Sequence, residues 1–326
     1  MRATTSTDTE PHEVSMAEQR IGWVGAGRMG FALAERLLKA GIKLSIYNRT
    51  RAKAEPLVAH GATVVDSIAE LADLDLVFAI VAESKDLLEV ISGPKGLLSR
   101  PGKAPRVVID SSTVSEAASA EARQLLASRG AAFLAAPVSG NPKVVRSGKL
   151  SVVVSGPQQA YEQAAPYLKL FGRGVSYVGD GEKARIVKIC HNVYLGIVAQ
   201  ALSEITVLAE KNGVPRSAFL SFINDSVMGS VFSRYKTPAY VNLDFAATFT
   251  PPLLRKDLDL GLDAAHAEGV PMPLTVLTRE IVQTLIGNGY TDCDFAALIE
   301  LEAKGAGLKL VSENAKVSDG LEPEMR

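Results

Sequence analysis

From Ile21 onward, short apolar runs alternate with stretches of helical periodicity: "IGWV", "FALAERLLKAG", "KLSIY", "RAKAEPLVAHG", "ATVV", and later "LDLVFAIV", "RVVIDSS", "AAFLAAPV" and "LSVVVSG". Continuous apolar runs of this kind suit strands buried on both faces. Strands separated by helices predict a parallel sheet covered on both sides. Beyond residue 180 the strand runs stop. "EKARIVKICHNVYLGIVAQALSEITVLAEKNG" reads as one helix of about 30 residues with Gly213 just past its end, and the later segments are helical in pattern too. The expected organisation is a doubly wound α/β domain over 20–180 and an all-α domain over 181–326. Residues 1–19 are polar and Thr- and Glu-rich, without the apolar core of a secretory signal, and are expected to form a disordered arm.

Composition narrows the function. The chain has 326 residues, 47% hydrophobic and 22% charged, with a formal net charge of −1, which gives no basic excess for nucleic acid. No uninterrupted apolar stretch approaches the roughly 20 residues of a bilayer crossing, so no membrane partner is expected. Cys190 and Cys293 make no metal-ligand spacing, so no metal is expected. They read as reduced thiols of a cytoplasmic protein.

"IGWVGAGRMGFALAERLLKAG" holds Gly25, Gly27 and Gly30 in G-x-G-x-x-G spacing, with Ala26, Arg28 and Met29 between them. A strand precedes the loop and an amphipathic helix follows it. The first glycine permits a tight turn, the second lets backbone approach a pyrophosphate at the helix N-terminus, and the third allows close helix–strand packing. The competing reading is a purely structural turn. The second strand ends in "SIYNRTRAK", with Asn48, Arg49 and Thr50 where an NAD-selective site would have an acidic residue. A neutral amide beside a guanidinium suits a 2′-phosphate, so NADP is the expected cofactor, with NAD an alternative. The first domain is therefore of Rossmann type.

Five stretches in order, "GWVGAGRMG", "IDSSTVS", "APVSGN", "VKICHN" and "RKDLDLGLDAA", resemble the β-hydroxyacid dehydrogenase family, which includes 3-hydroxyisobutyrate dehydrogenases and glyoxylate/succinic semialdehyde reductases. The resemblance runs from Ile21 to about Glu302 and implies a 6-phosphogluconate dehydrogenase-like fold. It implies that Lys188 is the general acid/base, that Asn192 orients the substrate, and that Ser139 and Gly140 hold a substrate carboxylate. It further implies that Thr113, Val81 and Ala82 border the nicotinamide, that Lys256 closes over it, and that Phe249 and Asp257 complete the pocket. A dimer or tetramer formed through the helical part is also implied. Two of these residues have simpler readings: Thr113 as a helix N-cap, and Lys256 with Asp257 as a solvated charge pair.

The chain departs from the family pattern at Asn141, where a glycine is usual and where a side chain would narrow or re-polarise the pocket. It also departs at Ala135, at Val81–Ala82, and at His191, where an asparagine is usual; for His191 we expect a packing or supporting role. Lys188 and Asn192 lie four residues apart and so share one helix face. Hydride transfer to a carbonyl leaves charge on its oxygen, which calls for a proton donor. A lysine among Ile and Val side chains loses hydration, and its pKa falls toward the working pH. The expected activity is NADP-preferring interconversion of a small 3-hydroxy acid and its semialdehyde. The alternatives are an imine reductase on the same fold or an inactive NADP-binding regulatory protein.

Overall fold

The computed structural model describes residues 19–322. The arm read from the sequence therefore lies, but for Gln19, outside the described residues. Six parallel strands form the first sheet: β1 (Ile21–Val24), β2 (Leu44–Tyr47), β3 (Thr63–Val64), β4 (Leu76–Ala79), β5 (Val107–Asp110) and β6 (Ala132–Ala135). Their order is β3-β2-β1-β4-β5-β6, the doubly wound arrangement with its switch point between β1 and β4. Every residue of β1, β4 and β5 is buried, as continuous apolar runs require. Helices α1 (Arg28–Lys39), α2 (Ser84–Ser92) and α3 (Glu116–Ala127) cover the sheet. Trp23, Phe78 and Phe171 pack on one face, Trp23 stacked on Phe78 with ring centroids 5.5 Å apart.

Two segments differ from the expectation. "RAKAEPLVAHG" forms two 3-10 turns, Arg51–Lys53 and Glu55–His60, in place of an α-helix. Pro56 supplies no N–H to a continuing helix, and Gly61 ends the segment at φ +95°. "AAFLAAPV" is split at Pro137. Its first half is β6, while β7 (Val138–Ser139) turns away to pair antiparallel with β8 (Leu150–Val154), which is parallel to β9 (Gly172–Tyr177). This second, three-stranded sheet carries α4 (Pro142–Arg146) between β7 and β8, and α5 (Gln158–Lys169) between β8 and β9.

The helical part starts with α6 (Lys183–Lys211), a single helix of 29 residues, followed by α7 (Arg216–Asp225), α8 (Val231–Asn242), α9 (Pro251–Glu268), α10 (Pro273–Gly287) and α11 (Leu298–Gly305). Helices α9, α10 and α11 pack along α6. By length and composition alone α6 is long and apolar enough to cross a bilayer. Here it carries buried Arg185, Asn192, Gln200, Ser203 and Thr206 against its neighbours. Lys236 and Asp294 form a buried ion pair that joins α8 to the turn before α11.

Candidate active site

The glycine loop has the geometry its spacing predicts. Gly25 sits at φ +102°, and a Cβ there would stand 2.1 Å from the Ile80 carbonyl oxygen. A Cβ on Gly30 would stand 2.2 Å from the Gly25 carbonyl oxygen, so this glycine sets the close approach of α1 to the loop. Gly27 differs: nothing lies within 4 Å of a Cβ placed there, and the residue is the N-cap of α1 with no side-chain partner. Two glycines thus serve the chain's own packing, and the middle one leaves space at a helix N-terminus for a bound phosphate. The residues fit a dinucleotide.

Asn48 braces the loop, accepting from the Ala26 N–H at 2.7 Å and donating to the Thr50 carbonyl at 2.8 Å. The Arg49 side chain is 80% exposed and reaches Asp86 of α2 at 3.3 Å. An exposed pair of this kind contributes little and leaves the guanidinium free to turn to a better anion. Met29 packs against the core behind the loop. Arg28 lies at the edge toward the helical domain, where its Nη1 is 3.5 Å from the Ala247 carbonyl oxygen.

At the carboxyl ends of β4 and β5, the Val81 N–H donates to Ser112 Oγ at 2.8 Å, and Ser112 in turn donates to the Asp110 carboxylate. Asp110 is fully buried and forms an ion pair with buried Arg185 of α6, whose Nη1 also donates to the Ser112 carbonyl at 2.6 Å. One turn on from Arg185, Lys188 faces a narrow cleft lined by Thr113, Val114, Pro137, Asn192, Asp257 and Leu260. The buried pair thus fixes the helix that carries the lysine to the sheet. Sequence reasoning missed Asp110, Ser112 and Arg185. The available signals were the acidic residue within "IDSSTVS" and an arginine three positions before Lys188 on the same helix face.

Thr113 is exposed on the cleft and does not cap α3; Ser115 does, its hydroxyl accepting from the Ala118 N–H at 3.3 Å. Ala82 is exposed beside Val81. Among the described residues no group forms a hydrogen bond with the Lys188 ammonium. Burial lowers its pKa from 10.5 to about 8; the Asp257 carboxylate opposes that fall and Lys256 adds to it. The source of the burial differs in part from the expectation: Ile189 lines the cleft, but Ile186 and Val187 turn outward and are exposed. The desolvating wall comes from the cleft, with Val114 and Pro137 on one side and Leu260 on the other.

Asn192, buried, donates to Asp257 Oδ2 at 2.6 Å. Asp257 Oδ1 accepts no hydrogen bond and lies 3.4 Å from the ammonium of half-exposed Lys256. A solvated charge pair therefore does not describe Asp257. His191 Nε2 lies 2.7 Å from Ser139 Oγ, and its Nδ1 lies 2.9 Å from Asn192 Oδ1. Gly140 turns the chain after Ser139 at φ +141°, where a Cβ would meet Leu150 and Val144 at 2.8 Å.

Two residues expected in the pocket make other contacts. Asn141 does not lend its side-chain oxygen to the pocket: that oxygen accepts from the Lys143 and Val144 N–H groups at 2.9 and 3.1 Å and caps α4. Phe249 is partly buried against the helical core, its ring edge-on to Phe295 at 5.9 Å.

A glycine loop at the switch point of a doubly wound sheet, together with a desolvated lysine on a helix fixed to that sheet, defines an NAD(P)-dependent oxidoreductase. Two family models agree: residues 20–179 match the NAD-binding domain of 6-phosphogluconate dehydrogenase, and residues 182–301 match the NAD-binding domain of NADP-dependent 3-hydroxyisobutyrate dehydrogenase. The chain is 30% identical over 283 residues to glyoxylate/succinic semialdehyde reductase 2 of Arabidopsis thaliana, covering 86% of this chain and 78% of that one. It is likewise 30% identical to 2-(hydroxymethyl)glutarate dehydrogenase of Eubacterium barkeri, covering 89% and 97% of the two chains. The crystal structure of 3-hydroxyisobutyrate dehydrogenase from Salmonella typhimurium superposes with a TM-score of 0.75 at 26% identity, covering 87% of this chain and all of that one. The protein belongs to the β-hydroxyacid dehydrogenase family.

Proposed function

We propose that the protein reduces a small aldehyde bearing a carboxylate to its 3-hydroxy acid, and catalyses the reverse oxidation, with NADP preferred over NAD. The observation that carries this reading is the Lys188 ammonium, free of hydrogen-bond partners, desolvated and poised near pH 8 in the cleft between the two domains. The loop Gly25–Gly30 would hold the pyrophosphate, and Arg49, exposed beside Asp86, would pair with the 2′-phosphate. Thr113, Val81 and Ala82 border the nicotinamide side, and exposed Lys256 closes the cleft from α9. When bound, the cofactor supplies the hydride.

Lys188 donates its proton to the substrate carbonyl oxygen as negative charge develops there, and recovers a proton afterwards; in oxidation it acts as the base. Asn192 is held by Asp257, so it offers a fixed position beside Lys188 without adding a charge. The turn at Ser139–Gly140 receives the carboxylate, which sets the carbonyl against the lysine and removes the orientational cost of a free encounter. The protein acts as a homo-oligomer in the cytoplasm. Exposed Tyr194, Leu208, Phe222, Leu274 and Leu277 on the helical part supply an apolar surface for a second copy. The imine reductase alternative rests on likeness of fold alone, and the lysine at the cleft favours the hydroxy-acid reading.

The test follows NADPH absorbance with matched aldehydes of equal length, with and without a terminal carboxylate. The reading expects a higher kcat/KM for the aldehyde-acid, with Ser139→Ala raising KM for it more than for the neutral aldehyde. A higher kcat/KM for the neutral aldehyde overturns the carboxylate site. Absence of turnover with the whole panel favours the regulatory alternative.

A further inference from the structure

Beside Lys188, four side chains form one continuous hydrogen-bonded chain: Asp257, Asn192, His191 and Ser139. Its proton positions follow from chemistry. A carboxylate only accepts, so Asn192 directs Nδ2 at Asp257, 2.6 Å away, and turns Oδ1 to His191 Nδ1 at 2.9 Å. An amide oxygen also only accepts, so Nδ1 carries the hydrogen. In a neutral ring Nε2 then presents a lone pair, and the 2.7 Å contact is Ser139 donating its only hydroxyl hydrogen to His191. An incoming carboxylate would meet Ser139 with lone pairs toward it, which repels an anion.

Protonating His191 reverses the last link. Nε2–H donates to Ser139 Oγ, the hydroxyl hydrogen turns to the carboxylate, and every donor in the chain has an acceptor. We propose, building on the carboxylate site argued above, that His191 makes substrate capture proton-linked: one proton from solvent enters the His191 ring as the carboxylate binds, and Ser139 changes from donor to the ring into donor to the substrate. No bond to carbon forms or breaks, and the bound species is the anion plus one proton.

The charges around the ring fit this exchange. On α6 itself stand Lys188 and, a turn earlier, Arg185, the latter neutralised by Asp110 of β5. From α9 come Asp257, behind Asn192, and exposed Lys256; from β7 comes only Ser139. Burial and the Lys188 charge hold His191 below the ordinary histidine range, against the opposing effect of its bond to Asn192, which favours the neutral ring before the anion arrives. A carboxylate brought beside the ring and the lysine removes that opposition.

The experiment is calorimetric titration of the NADP⁺-saturated protein with butyrate, an unreactive carboxylate, at pH 7 in two buffers of different ionisation enthalpy. The slope gives protons taken up per butyrate bound. With a pKa of about 8, Lys188 is already about nine-tenths protonated at pH 7 and can take up no more than about 0.1 proton. Wild type is expected to take up clearly more than the roughly 0.1 proton per site that Lys188 can supply, and His191→Asn and His191→Gln about 0.1 or less while still binding butyrate. Uptake of about 0.1 or less by wild type, or uptake undiminished in both variants, overturns the proposal. Failure of butyrate to bind wild type at all is a different result, because it overturns the carboxylate site itself.

Discussion

Lys188→Met should inactivate the protein and stabilise it at once, and the size of the second effect follows from the cleft. Keeping a proton on a lysine whose pKa falls from 10.5 to about 8 on folding costs about 3 kcal/mol at neutral pH. Lys188 is only partly buried, so solvent screening reduces the expected cost to about 1–2 kcal/mol. Below pH 8 both the folded and the unfolded chain hold the proton, and the whole penalty is present. Between pH 8 and 10.5 the folded chain releases it first, so wild type gains stability relative to the variant; above 10.5 the penalty is gone. Methionine fills a similar volume without a charge. Urea unfolding followed by circular dichroism should therefore give Lys188→Met a higher midpoint at pH 7, by an amount that shrinks toward zero near pH 10.5. Its kcat should fall by about 10²- to 10⁴-fold, the range for a lost proton donor. A variant no more stable than wild type at pH 7, or a difference independent of pH, would refute the desolvation argument.

Arg49→Ala should lower the ratio of kcat/KM for NADP over NAD by about 10- to 100-fold, the equivalent of one charge-assisted contact; an unchanged ratio removes Arg49 from cofactor selection. Arg185→Met leaves the Asp110 carboxylate buried and unpaired, and should cost about 3–5 kcal/mol in denaturant titration; a loss under 1 kcal/mol would mean that the pair does not anchor α6. Asn141→Ala should cost about 1 kcal/mol as a lost cap while leaving the order of preferred substrates unchanged, and a reordered substrate panel would return Asn141 to the pocket.

Where a residue's role depends on its immediate neighbours, the sequence was informative. Gly25, Gly27 and Gly30 act through backbone within a single strand–turn–helix, and their spacing carries that geometry. Lys188 and Asn192 are one helical turn apart, so their shared face follows from period alone. The Asp110–Arg185 pair spans 75 positions and is made by the docking of two domains, which no local pattern records. The capping role of Asn141 was overlooked because a side chain replacing a glycine suggests a pocket effect, whereas Pro142 immediately after it marks the first turn of a helix in need of a cap. Phe249 was placed by the resemblance, and only the packing of Phe295 shows which way its ring turns. Pro137 was visible inside "AAFLAAPV", but its effect of sending β7 to a second sheet depends on β8, which arrives only later in the chain.

The central claim is that Lys188 exchanges the proton that accompanies hydride transfer, and the pH dependence of the two directions tests it most directly. Under saturating conditions with the same substrate pair, kcat for NADPH-dependent reduction should fall as rising pH takes the proton from the lysine, and kcat for NADP⁺-dependent oxidation should rise as that proton is lost. Opposed profiles that vanish together in Lys188→Met are the predicted result. Profiles that move in the same direction, or that persist in the variant, would contradict the account.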